Sequence, residues 1–375
     1  MVDSGRIVRE FLELVRVDSV SGQERELAGL LYEKLAGLGL DVTEDAAGQK
    51  TGSGTGNIIG RLPGNGGRGP TLLLCAHMDT VEPGRGVRPK VEDGVIRSAG
   101  DTVLGADDKA GIVAILEALR VLREGKITHG DIEVVFTIWE EGGLFGAKNL
   151  DYERITAKIG FILDSDGPPG TIITRAPSQD KIGATITGRA AHAGINPEDG
   201  INAIQVASHA ISKMKLGRID SETTSNIGII SGGKAINIVP DSVTIQGETR
   251  SLDAGKRKAQ TEHICSAIRE TAKEFGSRAD VVTETIYPDF FLKKNSLPVK
   301  IAVEAAGNLG LIPRLEQTGG GSDANIFNSK GIETVVLGIG MKKVHTTEEY
   351  ITVSDLVENA RYLMEIVKVA QGMKF

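Results

Sequence analysis

The chain has 375 residues, 40% apolar and 25% charged, with a formal net charge of −7. That balance excludes wholesale disorder, and the absence of a Lys/Arg cluster argues against a nucleic-acid or anionic-membrane surface. Two cysteines, Cys75 and Cys265, cannot build a disulfide framework, and neither a membrane-length apolar run nor a signal-peptide core is visible, so a cytoplasmic enzyme of two or so domains is expected.

Ile7, Val8, Phe11, Leu12 and Val15 give residues 4–16 the period of an amphipathic helix. Ser21 followed by Glu24 reads as a capping box for a second helix through Leu27, Leu30, Leu31 and Leu35, stopped near Gly37. Apolar runs at 57–62 and 71–76 read as strands on either side of Pro63-Gly64-Asn65-Gly66-Gly67. Ile112, Ile115, Leu116, Leu119 and Leu122 place a helix over 108–123. Buried strands are expected at 132–139, 159–163 and 334–339, the last followed by a closing helix capped near Ser354. Between about 178 and 289 the rhythm changes to strand 181–187, helix 199–215, strands 226–231 and 241–250, helix 254–275 and strand 279–287. This is the β-α-β-β-α-β order of a ferredoxin-like unit, although the same elements could extend the first sheet. The fold class read from the pattern is α/β. A three-layer catalytic domain, with helices on both faces of a mixed sheet, is expected from 1–177 and 290–375, with a ferredoxin-like α+β domain inserted at 178–289.

Candidate chemistry collects at element ends. His77 and Asp79 follow the strand at 71–76; Asp107 and Asp108 lie in Gly105-Ala106-Asp107-Asp108-Lys109-Ala110-Gly111, which opens a helix. Glu140 and Glu141 follow Trp139, Asp164 ends the run at 159–163, and His345 lies just beyond 334–339. In an open α/β sheet, the carboxyl ends of the strands are where ligands bind. Asp79, Asp107, Glu140, Glu141 and Asp164 would repel one another in a shared crevice unless cations neutralised them. Two divalent ions about 3.5–4 Å apart would do so, and mixed His and carboxylate donors suit zinc, or manganese and cobalt less selectively. Taken singly, each residue has an ordinary structural reading as a turn residue, a helix cap or a solvated acid.

The sequence resembles the M20 family of dinuclear zinc peptidases and deacylases, in its peptidase T-like (tripeptide aminopeptidase) branch. The matching stretches are Ala76-His77-Met78-Asp79-Thr80, the Gly105–Gly111 turn, Trp139-Glu140-Glu141-Gly142-Gly143, Leu163-Asp164, Gly188-Arg189-Ala190-Ala191-His192, Gly319-Gly320-Gly321-Ser322-Asp323-Ala324 and Val344-His345-Thr346, in family order. The resemblance implies one ion held by His77, Asp107 and Asp164 and a second by Asp107, Glu141 and His345. It makes Glu140 the general base and has Asp79 hydrogen-bond His77. It also implies a cis peptide between Asp107 and Asp108. The inserted domain becomes a lid and dimerisation surface, giving a homodimer. His192 becomes the donor to the oxyanion, while Arg250, Asn237 and Gly320 bind substrate. Against these roles, His192 could cap the helix starting near Pro197, and Arg250 and Asn237 could be turn residues.

The expected activity is therefore a metal-dependent exopeptidase, an aminopeptidase acting on short peptides such as tripeptides. Within the family, Asp at the position of Asp164 accompanies aminopeptidases and Glu mainly carboxypeptidases and deacylases. The rival readings are an N-acyl amino-acid deacylase, desuccinylase or carboxypeptidase, and an inactive peptide-binding homologue. The Gly319–Gly321 loop lacks the Lys-Ser/Thr of a phosphate-binding P-loop, and no dinucleotide fingerprint is present.

Overall fold

Consecutive residues of a strand face opposite sides of its sheet, and Leu72, Leu73, Leu74 and Cys75 are all buried. That sheet must therefore be covered on both faces. The computed structural model describes residues 1–373. Its chain divides into two compact units, one built from Met1–Thr174, Phe291–Gln317 and the segment from Ser322 on, the other from Arg175–Phe290 and Thr318–Gly321.

The first unit carries a nine-stranded mixed sheet. At its centre Ile132–Thr137, Leu72–His77, Ile159–Ser165 and Glu333–Gly338 lie side by side, each pair parallel. Ile58–Leu62 adds antiparallel to Ile132–Thr137, and Thr171–Ala176 adds antiparallel to Glu333–Gly338. The long helices Ala106–Glu124 and Val353–Gly372 pack on each other, and the first also packs on Leu72–His77. The four parallel strands end in the same direction, so residues just past their carboxyl ends share one edge.

The second unit has its own antiparallel sheet in the order Thr223–Gly232, Ser242–Ser251, Ser178–Thr187, Arg278–Tyr287, with the short Gly217–Arg218 beyond the first. Ile182, Ala184 and Ile186 alternate onto one buried face. There they join Val243 and Ile245 in a core with helices Ala203–Ser212 and Ala254–Glu274. Asn202 and Asp253 cap those helices, accepting from the N–H of Gln205 and Lys256.

Three local expectations are corrected. Ser21 and Glu24 form no capping box, and helix Arg25–Gly37 starts without a side-chain cap. The Ser21 hydroxyl is bonded to Asp79, and the Glu24 carboxylate to the N–H groups of Gly22 and Trp139. The closing helix is capped by Thr352, which accepts from Asp355 N, not at Ser354. The strand expected to reach Trp139 stops at Thr137. Beyond it the N–H of Ile138 bonds the Asn57 side chain and that of Trp139 bonds Glu24, which leaves no ladder to continue.

Candidate metal centre

Each candidate ligand in the first unit is placed by the end of a parallel strand or the turn after it. His77 is the last residue of Leu72–His77, Asp164 lies near the end of Ile159–Ser165, and His345 follows Glu333–Gly338. Glu140 and Glu141 lie beyond Ile132–Thr137, where Trp139 adopts φ +47°, Gly143 φ +128° and Leu144 φ +61°. Asp107 stands at the head of helix Ala106–Glu124 with non-helical φ/ψ, and its bond to Asp108 is cis.

These segments converge. His77 Nε2 lies 2.9 Å from Asp107 Oδ1, and His345 Nε2 lies 3.2 Å from Asp107 Oδ2 and 2.7 Å from Glu141 Oε1. Asp107 therefore offers one oxygen to each imidazole. Donor atoms of His77, Asp107 and Asp164 fall within 4.8 Å of one another, as do those of Asp107, Glu141 and His345. His77, Glu140 and Glu141 form a third such group. His77, Asp107 and Glu140 are buried, whereas the His345 side chain is about half exposed.

The electrostatics match a crowded anionic crevice. Burial, and then the Asp164 charge, pushes Glu140 well above the usual carboxylate range; burial and then Asp107 does the same to Asp164. Burial also raises Glu141, against an opposing bond from His345. Burial would raise Asp107 too, but hydrogen bonds from His345 and His77 outweigh it and hold its carboxyl low. Burial disfavours the charged form of His77, yet its bonds to Asp107 and Asp79 hold it well above the imidazole range. Bonds to Asp107 and Glu141 lift His345 to about 10. Imidazole and carboxylate donors brought this close, with surplus negative charge, form a donor set that fits divalent metal ions.

Asp79 differs in detail from expectation. The His77 Nδ1 bond goes to the Asp79 carbonyl at 2.9 Å, with the Asp79 carboxylate 3.4 Å away. That carboxylate mainly accepts the N–H groups of Glu140 (2.8 Å) and Glu141 (3.2 Å) and the Ser21 hydroxyl (2.7 Å). The carboxylate thus holds the turn that presents both glutamates, while the Asp79 carbonyl receives the imidazole. Asp108 accepts the N–H of His77 and of Gly111. A Cβ at Gly111 would sit 2.5 Å from Asp108 Oδ1 and 2.6 Å from the Leu163 backbone oxygen, so a side chain there would have to displace backbone.

Several neighbours were not anticipated from sequence. Buried Glu349 accepts the N–H groups of Leu104, Gly105 and Asp107. Lys109 is buried with Nζ on the Val17 carbonyl, and burial lowers it to about 7. Asp323 is buried and accepts from the Thr137 hydroxyl at 2.6 Å, and burial lifts it to about 6. Of these, Lys109 lies in the Gly105–Gly111 turn and Asp323 in the Gly319–Ala324 loop, both of which stand out in the sequence, whereas Glu349 lies in neither.

The remaining candidates belong to the second unit. His192 is exposed and pairs with Ile238 through an isolated bridge, its Nδ1 accepting the Gly194 N–H. The helix expected near Pro197 is a single turn, Pro197–Asp199, with Asn196 before it, so His192 caps no helix. Asn237 is exposed, its carbonyl accepting the Ala193 N–H. Arg250 is half-buried and already engaged by both Glu248 oxygens at 3.0 Å. Gly320 N donates to the Thr318 hydroxyl. Among the described residues no helix is long and apolar enough to cross a membrane.

Comparison with known proteins gives a consistent picture. A family model described as Peptidase family M20/M25/M40 matches residues 73–369. The crystal structure of aminopeptidase PepT from Bacillus cereus ATCC 10987 superposes with TM-score 0.91 at 48% identity, covering 98% of this chain and 99% of that one. A tripeptidase structure from Staphylococcus aureus Mu50 gives TM-score 0.96 at 44% identity, covering 100% of both chains. Peptidase T of Geobacillus kaustophilus is 28% identical over 401 residues, covering 94% of this chain and 92% of its own length.

Proposed function

The chain belongs to peptidase family M20/M25/M40, and from that premise we propose that it is a metal-dependent aminopeptidase removing the N-terminal residue of short peptides such as tripeptides. The observation that carries the reading is the pair of donor sets sharing Asp107, with Glu140 beside them. In this reading His77, Asp107 and Asp164 hold one divalent ion and Asp107, Glu141 and His345 the other. Zinc suits the donors best; cobalt and manganese are the alternatives. When bound, such ions polarise a carbonyl and lower the pKa of water.

The chain's own groups do the rest. Glu140 takes the proton of the attacking water and returns it to the departing amine, a role suited to a carboxylate whose pKa is raised by burial. Asp79 fixes the tautomer and direction of His77 and holds the Glu140 backbone. His192 is the proposed donor to the oxyanion, and Arg250, Asn237 and Gly320 are the proposed substrate binders, roles that rest on the family resemblance. The aminopeptidase and tripeptidase relatives support the peptide reading over N-acyl amino-acid hydrolysis. Metal analysis combined with steady-state assays on tripeptides and N-acyl amino acids tests it. Two metal equivalents and a tripeptide preference are expected, whereas full activity in metal-free protein overturns the proposal.

The second unit is further proposed to be an inserted lid and to bind a second copy of the chain. Among the described residues, its strand Thr223–Gly232 is paired beyond its outer edge at Thr224 and Ser225 alone, which leaves the stretch from Asn226 on as an open edge. Ile229, Ile230 and Ile236 on and after that strand are exposed. Light scattering should report a dimer for the native chain and a monomer for Ile230→Lys. A native monomer removes the proposal.

A further inference from the structure

Two of the segments that meet at the metal centre are tied together by one buried side chain. Glu349 Oε2 accepts the N–H groups of Leu104 at 2.7 Å and Gly105 at 2.8 Å, and Oε1 accepts the N–H of Asp107 itself at 3.0 Å. The residue is 2% exposed. Three backbone donors from the loop that carries Asp107 thus converge on one carboxylate.

The other end of Glu349 is equally fixed. Its own N–H donates to the Thr346 carbonyl at 3.1 Å, closing a turn that begins next to His345. Lys342 and Tyr350 exchange both backbone hydrogen bonds, so the loop holding His345 is pinched shut at its base. Tyr350–Thr352 is in turn paired with Val95–Ser98. His345 itself sits at φ +62°, in the left-handed region. The separation between Asp107 and His345 is therefore set through Glu349. His77 has separate supports, with its N–H on Asp108 and its Nδ1 on the Asp79 carbonyl.

We propose that Glu349 is a positioning residue for the ion held by Asp107, Glu141 and His345, keeping the bridging aspartate and the imidazole at the spacing that ion needs. The proposal rests on the dinuclear reading above and adds to it a residue outside both ligand sets. A glutamine cannot substitute. It has one acceptor oxygen, so its NH2 group must face at least one of the three backbone N–H groups, and a buried donor is left without a partner.

The test is a titration of metal-free native protein, Glu349→Gln and Glu349→Asp with Co2+, followed by calorimetry and by the visible absorption of the bound ion. Native protein should take up two equivalents. Glu349→Gln should keep the first affinity within about threefold and lose about 10–100-fold in the second, the range typical of groups that support metal ligands. Glu349→Asp keeps the charge but withdraws it by one methylene, and should show a smaller loss at the second ion. His345→Ala gives the reference spectrum of the singly loaded centre, which Glu349→Gln should match at one equivalent. Native protein binding fewer than two ions would sink the dinuclear reading and the proposal with it. Two ions in native protein, with equal losses at both or none at either in Glu349→Gln, would leave the dinuclear reading intact and overturn the role of Glu349. Should Glu349→Gln fail to fold, native-like binding by Glu349→Asp would overturn that role by itself.

Discussion

Glu140 and Glu141 are neighbours with different surroundings, and a single-atom change separates their roles. Glu141 accepts from His345, while the Glu140 carboxyl lies buried among other acids. Glu140→Gln should retain both metal equivalents and lower kcat about 10²–10⁴-fold, because only the proton acceptor is lost. Metal loss in that variant would instead assign Glu140 to the donor group it forms with His77 and Glu141. His192→Ala should lower kcat with metal content unchanged; an unaltered rate removes its oxyanion role. Protons compete with metal at the imidazoles. His77 is held above its usual range and His345 at about 10 in the metal-free chain, so the protonated forms are favoured there. Metal must displace those protons, so affinity should rise with pH across the neutral range and keep rising toward about 10, as metal-buffered titrations can show. The convergence of His77, Asp107, Glu140, Glu141, Asp164 and His345 was legible from sequence because carboxylates and imidazoles at the ends of apolar runs are unusual in number. Ser21 and Glu349 were not legible. They act on groups 58 and 242 or more positions away, and no spacing rule reports such a hydrogen bond.

The turn from Trp139 to Leu144 is the element on which both glutamates depend. It is held by Glu24 on the Trp139 N–H, by Asp79 on the next two, and by the Glu140 carbonyl, which accepts from Gly143 and Leu144. The Trp139 ring lies against Gly142, where a Cβ would come 2.1 Å from the indole nitrogen, and it meets Phe145 edge-on at 5.5 Å. Gly142→Ala must therefore displace the indole. Thermal unfolding should show a loss of about 1–3 kcal/mol, and kcat should fall with it. A variant as stable and active as the native chain would show that the ring does not constrain the turn. Sequence pattern located the four parallel strands because they are apolar on both faces, and the strands and helices of the second unit because their alternation and period are regular. It missed the hairpin Pro89–Glu92 and Val95–Ser98, whose few residues include exposed Lys90, Glu92 and Arg97. Short, half-solvated strands of that kind carry little hydrophobic signal.

All five residues proposed to hold metal belong to one of the two units, which predicts where metal stabilises the molecule. An ion at a thousand times its dissociation constant adds about 4 kcal/mol to whatever it binds. Chelation should therefore accelerate amide hydrogen exchange in Leu72–His77, Ile159–Ser165 and the turn at Glu140, while the sheet containing Ser178–Thr187 keeps its protection. Equal loss in both units would contradict a centre confined to the first. The same unit is discontinuous in sequence, and this imposes an order in time on a chain made from its amino terminus. His77, Asp107 and Asp164 leave the ribosome early, whereas His345 and the strand Glu333–Gly338 follow some 170–180 residues later. At ~5–20 residues per second that interval is on the order of 10–40 s, during which the whole of the second unit is synthesised and can fold. Under the proposed assignment the nascent chain would own the donors for one ion well before the last donor for the other, so Asp107 would first serve a single metal and the paired centre would be a late product of synthesis.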